Sequence, residues 1–387
     1  MQLTEVLTSQ EAKKFIRFPV SLYKGHPQWI RPIEKEVESI FDPSRNKSFE
    51  DGDCQRWILQ DNGQVIGRIA AFVTPQKNKE GEEYIYGGIG FFECVNDQKA
   101  ADILFDRAKI WLQEKGTTYM DGPINFGSRD KWWGLLTKGF ELEPNYQCNY
   151  NFPYYQKLFE NYGFQIYFEH YTFVRVIKDP VHPRLQHKAA MVASDPDYSV
   201  THLKMSEFDK QTADIIEVYN KAWVNHEGVS TISIEQGKAI MNRLKAVVDE
   251  ELIWLVYYKD EPAAIFVNIP EANQVLKYVN GKLDLIGKLK FLWYRSRIKD
   301  RKVLGLIFGV TPEHQGKGVD GAVIKAFADS TRENKPEYKT IEMHGIGDFN
   351  RKMILVVKQV GGDVKKIHST YRYLFDRNQP FERMKPI

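Results

Sequence analysis

The sequence predicts an α+β (mixed α/β) protein of two similar halves, each a mixed sheet flanked by helices. One order of elements occurs twice: a hairpin, a strand, a helix, a strand, a helix and a closing strand. Trp57 and Trp254, and likewise Gly163 and Gly361, are related by an offset of about 197 residues, which indicates an internal duplication. A chain of 387 residues also exceeds the usual size of a single core.

The first half begins with a helical region, residues 11–40, that three prolines interrupt. The elements that follow are a hairpin at 57–73, a strand at 84–94, a helix before Gly116, a strand at 119–122, a helix at 154–162 and a strand at 168–177. The second half repeats them at 252–269, 303–310, 320–332, 340–345, 351–360 and 367–375. A proline-containing linker near 179–197 separates the expected domains, 1–180 and 195–387.

Composition indicates a globular protein, with 42% hydrophobic and 27% charged residues. The net charge of +3 is too small to imply nucleic-acid binding. Neither a bilayer-spanning apolar stretch nor a signal peptide is evident, so we expect a cytoplasmic location. Cys54, Cys94 and Cys148 are far apart, which argues against a disulfide framework and a metal site.

A glycine-rich loop follows the uncharged strand that ends at Val310. Gln315, Gly316, Lys317 and Gly318 precede a helical apolar pattern that starts at Val319. Bare backbone N–H groups, the helix start and Lys317 all favour an anion such as a phosphate. An ordinary strand-to-helix turn is the alternative.

These residues resemble the GNAT superfamily of acyl-CoA-dependent N-acyltransferases, whose pyrophosphate loop reads Gln/Arg-x-x-Gly-x-Gly/Ala. Asp320 departs from that pattern, and Gly321 comes one place late. The resemblance implies acyl-CoA as co-substrate, no metal, and a tandem pair of GNAT-like domains. It also implies the cofactor-binding residues Phe308, Val310, Gln315, Gly316, Lys317, Gly318, Gly321 and Asn350.

The first half resembles the bacterial ceramide synthase-like family more narrowly. The matching stretches are Gly90-Phe91-Phe92-Glu93, Gly122-Pro123-Ile124-Asn125, Trp133-Gly134-Leu135-Leu136, Gly139-Phe140 and Tyr154-Tyr155. This resemblance implies fatty acylation of a long-chain, sphingoid-type amine. Because residues 93–97 bring two carboxylates to the loop position, we expect this half not to bind CoA but to form a wall of the acceptor cleft. The residues expected there are Trp132, Trp133, Tyr154 and Tyr155, with core packing as their alternative.

Acyl transfer to an amine needs a base that accepts the proton of the amine. In GNAT enzymes the CoA thiolate that leaves is often protonated by a Tyr of the last helix. Glu342 and His344 alternate with apolar residues along one strand and so share a face. They are the candidates for the general base, with His344 as the base and Glu342 able to orient it. Phe159 and Val357 stand at the two Tyr positions, so either the thiolate leaves unprotonated or a different Tyr protonates it. Tyr371 and Tyr373 are nearby in sequence, and Tyr371 is the candidate acid. His226 is a second candidate near the substrate.

Three functions remain open: an N-acyltransferase acting on a lipid or small-molecule amine, a non-catalytic acyl-CoA or partner-binding module, and acyl transfer from a charged tRNA. The CoA-type loop disfavours the last. Residues 281–302 carry eight Lys or Arg and two Asp around an apolar helical stripe. Such a segment favours peripheral contact with an anionic membrane surface, and a helix packed on its own domain is the alternative.

Overall fold

The computed structural model describes residues 1–77, 81–223, 231–245 and 248–386. The strands of the first half are β1 (Gln2–Glu5), β2 (Asp53–Asp61), β3 (Gln64–Lys77), β4 (Glu83–Cys94), β5 (Tyr119–Gly122), β6 (Leu135–Lys138) and β7 (Gln165–Val176). Its helices are α1 (Ser9–Leu22), α2 (Glu34–Ile40), α3 (Gln98–Glu114) and α4 (Tyr154–Tyr162).

The second half repeats this plan after a connecting helix, α5 (Pro183–Ala193). Its strands are β8 (Tyr198–His202), β9 (Ile253–Tyr258), β10 (Glu261–Pro270), β11 (Arg301–Val310), β12 (Tyr338–Gly347) and β13 (Asp363–Leu374). Its helices are α6 (Phe208–Trp223), α7 (Ile234–Leu244), α8 (Asn273–Leu276), α9 (Leu285–Arg295), α10 (Val319–Asn334) and α11 (Arg351–Gln359). The predicted fold class is confirmed. The order hairpin, strand, helix, strand, helix and closing strand recurs in both halves, with β6 added in the first and α8 and α9 in the second.

All these strands join one mixed sheet, and the two halves exchange their closing strands. The order is β1-β2-β3-β4-β5-β13-β7-β12-β11-β10-β9-β8, with β6 also paired to β13. Strand β13 of the second half therefore pairs with β5 of the first, while β7 of the first half pairs with β12 of the second. The two exchanged strands pair with each other, antiparallel, at the centre of the sheet.

Helices cover both faces of the sheet. In the first half, α3 and α4 bury Leu104 and Phe159 against Trp57, and α1 buries Phe15 on the opposite face. In the second half, α5 and α10 bury Leu185 and Val323 on the face that corresponds to α3. No helix in the described parts of the chain is long and apolar enough to cross a membrane.

Helix α5 lies where the sequence predicts only a linker. His182 caps it by accepting from the Arg184 N–H, and Pro183 occupies its first turn, where the absent proline N–H costs no hydrogen bond. Leu185, Ala189 and Val192 point into the core. The prolines that suggested an interruption therefore mark a helix start.

Candidate functional site

A cleft opens in the second half where the parallel strands β11 and β12 diverge. Their pairing runs from Arg301 opposite Tyr338 to Gly305 opposite Met343, and there it ends. On its other side β11 stays paired with β10 as far as Val310. Residues 306–310 thus turn one backbone edge toward the cleft without a partner on β12.

An irregularity in β11 accompanies the divergence. Opposite β10, Ile307 pairs with Val267 and Gly305 with Asn268, so Leu306 is the extra residue of a bulge. The second-half cleft is lined by residues of β11, β12, α10 and α11, including Phe308, Met343, His344, Asn350 and Val357, and holds about 850 Å³ including its open mouth. The lining is mainly apolar, as is usual for ligand sites.

The predicted anion loop, Gln315–Gly318, joins β11 to α10. Gly316 and Gly318 have φ values of 76° and 87°, the left-handed region that glycine favours. Gly318 is the N-cap of α10 and provides no side chain to the first N–H groups of the helix. Lys317 is exposed beside them, while the Gln315 side chain donates to the Val310 carbonyl. These donors and the positive helix end suit a phosphate.

Asp320, the departure from the loop pattern, is neutralised from α5. Lys188 Nζ lies 2.6 Å from its carboxylate. Gly318 and Gly321 allow α5 to come this close: a Cβ on Gly318 would lie 2.9 Å from the Lys188 carbonyl oxygen, and one on Gly321 would lie 2.6 Å from the Lys188 Cβ. Gly321 therefore belongs to helix packing, although we expected it at the cofactor.

The corresponding region of the first half is closed. Strands β4 and β5 pair only at Gly88 and Asp121, and Ile124 then runs along β4, its N–H donating to the Ile89 carbonyl at 2.7 Å. A Cβ on Gly90 would lie only 1.9 Å from the Ile124 carbonyl oxygen. The N-terminus of α3 is capped by Asp97, whose carboxylate accepts from the N–H groups of Lys99 and Ala100. Two places that are open in the second half are therefore filled in the first. Ile124 occupies the edge of β4, and the Asp97 side chain occupies the N-terminus of α3.

His344 lies at the second-half cleft beside a loop of the first half, residues 143–151, here called the covering loop. Its Nδ1 is 3.5 Å from Cys148 Sγ. Burial lowers the pKa of His344, so the ring is a neutral imidazole near pH 7. Burial likewise raises the pKa of the Cys148 thiol to about 12, which leaves it protonated. A neutral imidazole at the cleft can accept a proton.

Glu342 shares the face of β12 with His344, as the alternation predicts, and is held in a buried network. Its carboxylate lies 2.9 Å from Lys366 Nζ and 3.0 Å from Lys302 Nζ, and accepts from Asn145 Nδ2 at 2.8 Å. Burial alone would raise its pKa, but Lys366 and Lys302 outweigh burial and lower the pKa to about 2. So weak a base is poorly suited to accept a proton from an amine, and the geometry gives Glu342 a positioning part instead.

Strand exchange carries Tyr371 away from the cleft. It lies on β13 opposite Gly122 of β5, fully buried against Phe159 in the first-half core. Its hydroxyl faces Glu160 at 3.3 Å. This position corrects the expectation that Tyr371 protonates the thiolate. Val357 of α11 is buried at the cleft, so the helix offers no hydroxyl there either.

A second cleft lies in the first half, between α1, β4 and the covering loop, and holds about 810 Å³ including its mouth. Of the four aromatic residues expected at the acceptor, Trp132 lines it. Tyr155 does not line this cleft but contacts a residue that does, because its hydroxyl donates to the Glu93 carboxylate at 2.8 Å. Tyr154 donates to the Cys94 carbonyl, and Trp133 is buried in the core.

The two clefts meet at one pair of side chains. Cys148 lines the first-half cleft, and His344 lines the second-half cleft. The sequence could not show this contact, because Cys148 has no motif and lies 196 residues from His344. Asn350 caps α11 by accepting from the Met353 N–H and also lines the second-half cleft. His226 lies outside the described residues.

Helix α9 presents an apolar side to solvent. Leu285, Ile286, Leu289, Leu292 and Trp293 are between 49% and 76% exposed. Phe291 packs instead toward Ile33 and Val279, which attaches the helix to the body of the protein. The helical form agrees with the spacing of the apolar residues, and Lys288 and Lys290 are exposed on the same helix.

The chain resembles two bacterial proteins over nearly its whole length. It is 24% identical to the bacterial ceramide synthase of Caulobacter vibrioides over 376 residues, 96% of this chain and 97% of that protein. It is 24% identical to the protein YghO of Escherichia coli over 369 residues, 94% and 93% of the two chains. No family model matches.

Among solved structures, the chain is similar to a tandem GNAT protein from the clavulanic acid biosynthesis pathway. The TM-score is 0.53 at 9% identity, and the match covers 98% of this chain and 99% of the other. The predicted resemblance is thus confirmed: the chain has the tandem GNAT fold and is similar in sequence to a bacterial ceramide synthase.

Proposed function

We propose that the protein is an acyl-CoA-dependent N-acyltransferase that uses the second-half cleft. The observation that carries the proposal is that β11, which diverges from its parallel neighbour β12, leads into an anion loop with an open helix N-terminus. The loop would hold the CoA pyrophosphate, and the pantetheine arm would lie along the unpaired edge of residues 306–310. The thioester carbonyl would then lie near the apex of the cleft, beside His344.

The covering loop lies on the other side of His344, so the amine would approach from there. In the reaction the amine nitrogen attacks the thioester carbonyl carbon, the C–S bond breaks, and CoA leaves as its thiolate. Neutral His344 would accept the proton that the nitrogen loses. A thiolate leaves at modest cost because the pKa of a thiol is only about 8.5, so a chain without a hydroxyl on α11 can still complete the step.

The test of this assignment uses Lys317, because a side chain at Gly318 would also disturb α5. We expect Lys317→Glu to weaken CoA binding about tenfold, a change of about 1.4 kcal/mol from reversing one charge at the phosphates. Lys99→Glu, at the start of the capped helix α3, is the matched control and should bind CoA like the wild type. Isothermal titration with CoA measures both, and equal affinities would refute the loop assignment.

Catalysis is tested separately by following free thiol from decanoyl-CoA with and without decylamine. Amine-dependent release supports acyl transfer. CoA binding without amine-dependent release would favour the second candidate, a non-catalytic acyl-CoA-binding module. The observation that supports this candidate is that α11 has no hydroxyl that could protonate the thiolate. A chain that acylates ethylamine as fast as decylamine would instead be a small-molecule N-acyltransferase.

We further propose that the acceptor is a long-chain amine taken from an anionic membrane surface through α9. The name of the Caulobacter relative points to lipid amines. The exposed apolar side of α9 supports the surface contact, and the exposed Lys288 and Lys290 of the same helix match anionic headgroups. Gly281, just before α9, accepts from the Glu34 N–H, and Glu34 lines the first-half cleft. The helix therefore stands beside that cleft.

Each Lys or Arg near an anionic surface contributes about 1 kcal/mol of attraction. Lys288→Gln with Lys290→Gln should therefore lower the partition coefficient onto phosphatidylserine-containing vesicles about 30-fold. Lys99→Gln with Lys157→Gln removes the same net charge from exposed positions of α3 and α4 and is the control. Co-sedimentation measures both variants. A wild type that ignores anionic vesicles would refute the membrane contact while leaving acyl transfer untouched.

A further inference from the structure

We propose that the first-half cleft binds the apolar chain of the amine acceptor. The amine group would then meet the thioester where the two clefts adjoin, at Cys148 and His344. The inference rests on the proposed acyl transfer in the second-half cleft. It assigns the acceptor to the half that carries no CoA loop, so each half of the duplicated chain would bind one of the two substrates.

The first-half cleft suits an apolar chain. Most of its lining is apolar, with Ile16 and Val20 from α1, Ile30 from the following segment, Phe91 from β4 and Trp132 from the segment between β5 and β6. The second-half cleft is already required for acyl-CoA, so an acceptor with a long chain needs a separate space.

The charged groups in the first-half cleft are paired and buried. Arg68 and Glu93 are 3.6 Å apart with side chains 7% and 12% exposed, and Glu93 also accepts from the hydroxyls of Tyr23 and Tyr155. The neighbouring Arg31 and Glu34 form a second pair. An apolar chain can therefore enter without leaving a charge unpaired. The Nε atoms of Arg31 and Arg68 are buried with no partner among the described residues, so two donors remain for a polar group of the ligand.

The position of Cys148 connects this space to the chemistry. Its side chain lines the first-half cleft, and its Sγ is 3.5 Å from the His344 ring, which lines the second. The covering loop is fixed on both sides of Cys148: Asn145 bonds Glu342 and Glu271, and the Asn149 carbonyl accepts from His368 Nε2 at 3.0 Å. An amine at the end of a chain in the first-half cleft would thus meet His344 at a fixed place.

Val20→Trp tests the inference, because Val20 lies on α1, far from the anion loop in sequence, and a larger side chain there fills the first-half cleft. We expect the KM for decylamine to rise at least tenfold and the KM for decanoyl-CoA to stay within twofold. Lys13→Trp adds the same ring on the exposed side of α1 and should behave as the wild type. Val20→Phe, a smaller change, should give a smaller effect and replaces Val20→Trp if that variant does not fold.

Titration of decylamine in the absence of acyl-CoA separates this inference from the proposed function. Binding that the wild type shows and Val20→Trp loses supports the cleft even if no acyl transfer occurs. Acyl transfer with unchanged decylamine affinity in Val20→Trp and Val20→Phe would overturn the inference and leave the transferase standing. Absence of decylamine binding to the wild type would also overturn it.

Discussion

Replacing Glu342 with Gln distinguishes a catalytic base from a buried structural ion. The Glu342 and Lys366 side chains are 4% and 3% exposed, and their charged atoms are 2.9 Å apart. The Glu342→Gln substitution would leave the Lys366 charge buried beside a neutral amide, while the Glu143 carbonyl and Asn145 Oδ1, both uncharged, still accept from it. Breaking one side of a buried pair costs about 3–5 kcal/mol.

Proton linkage gives a second route to the magnitude. Folding lowers the pKa of Glu342 from 4.5 to about 2, and at roughly 1.4 kcal/mol per pKa unit this corresponds to about 3 kcal/mol at pH 7. Because the folded-state pKa is lowered, the contribution is complete above the unfolded pKa and is lost as pH falls toward 2. At pH 3.5 about 2 kcal/mol should remain. Both routes therefore predict a loss near 3 kcal/mol for Glu342→Gln at neutral pH.

Urea denaturation of wild type and Glu342→Gln at pH 7 and pH 3.5 measures this loss. The difference between the two proteins should shrink at the lower pH, and Lys366→Met in the variant should restore part of the stability because it removes the unpaired charge. The reasoning would be refuted by a variant as stable as the wild type that has lost acyl transfer, since that outcome makes Glu342 the base.

Two further predictions concern the second-half cleft. His344→Gln should lower kcat about 100-fold at pH 7, the usual scale of a lost general base. Because burial lowers the pKa of His344, the wild-type rate should fall only when the pH drops below the ordinary His value of 6.5. A pH–rate profile in which the rate already falls above pH 6.5 would contradict this. Lys188→Met should weaken CoA binding several-fold, because it leaves the Asp320 carboxylate unpaired beside the phosphates. Asp320→Asn in the same chain should restore the affinity. Titration with CoA measures both variants, and unchanged affinity in Lys188→Met would show that the Asp320 charge does not act on the bound ligand.

Local signals gave most of the fold. The hairpins, the glycine-ended helices and the anion loop depend on residues that are neighbours in sequence, so turn chemistry and periodicity predict them. The α5 helix was missed because its prolines were interpreted only as breaks. The partner of Asp320 was missed with it, since Lys188 belongs to that helix.

The candidate site was predicted only where it depends on one segment. His344 lines the second-half cleft because β12 runs beside β11 as the local pattern requires. Gln315–Gly318 forms the glycine-rich turn into α10 that the sequence predicts, and its part in binding an anion stays a prediction. Tyr371 was misplaced because nothing in the sequence near β13 reveals that this strand pairs with β5 rather than with its own half. The contact between Cys148 and His344 joins two halves of the chain, and no periodicity reports such a contact.

The exchange of β7 and β13 bears on whether the halves can exist apart. All strand partners of β13, namely β5, β6 and β7, belong to the first half, while β12 has β7 along one edge. A fragment of residues 195–387 would leave β13 without any strand partner, expose the β12 edge, and lack α5, which buries Leu185 beside α10. An unpaired strand edge loses its hydrogen bonds and favours aggregation.

We therefore expect residues 195–387 alone to show neither a cooperative thermal transition nor protection by CoA. Co-expression with residues 1–194 should restore both, because the two fragments together supply every pair of strands. Circular dichroism melting with and without CoA measures this. A lone fragment that melts cooperatively and binds CoA as the full chain does would mean that β13 can fold back onto β12, in which case the exchanged arrangement is not needed to form the second-half cleft.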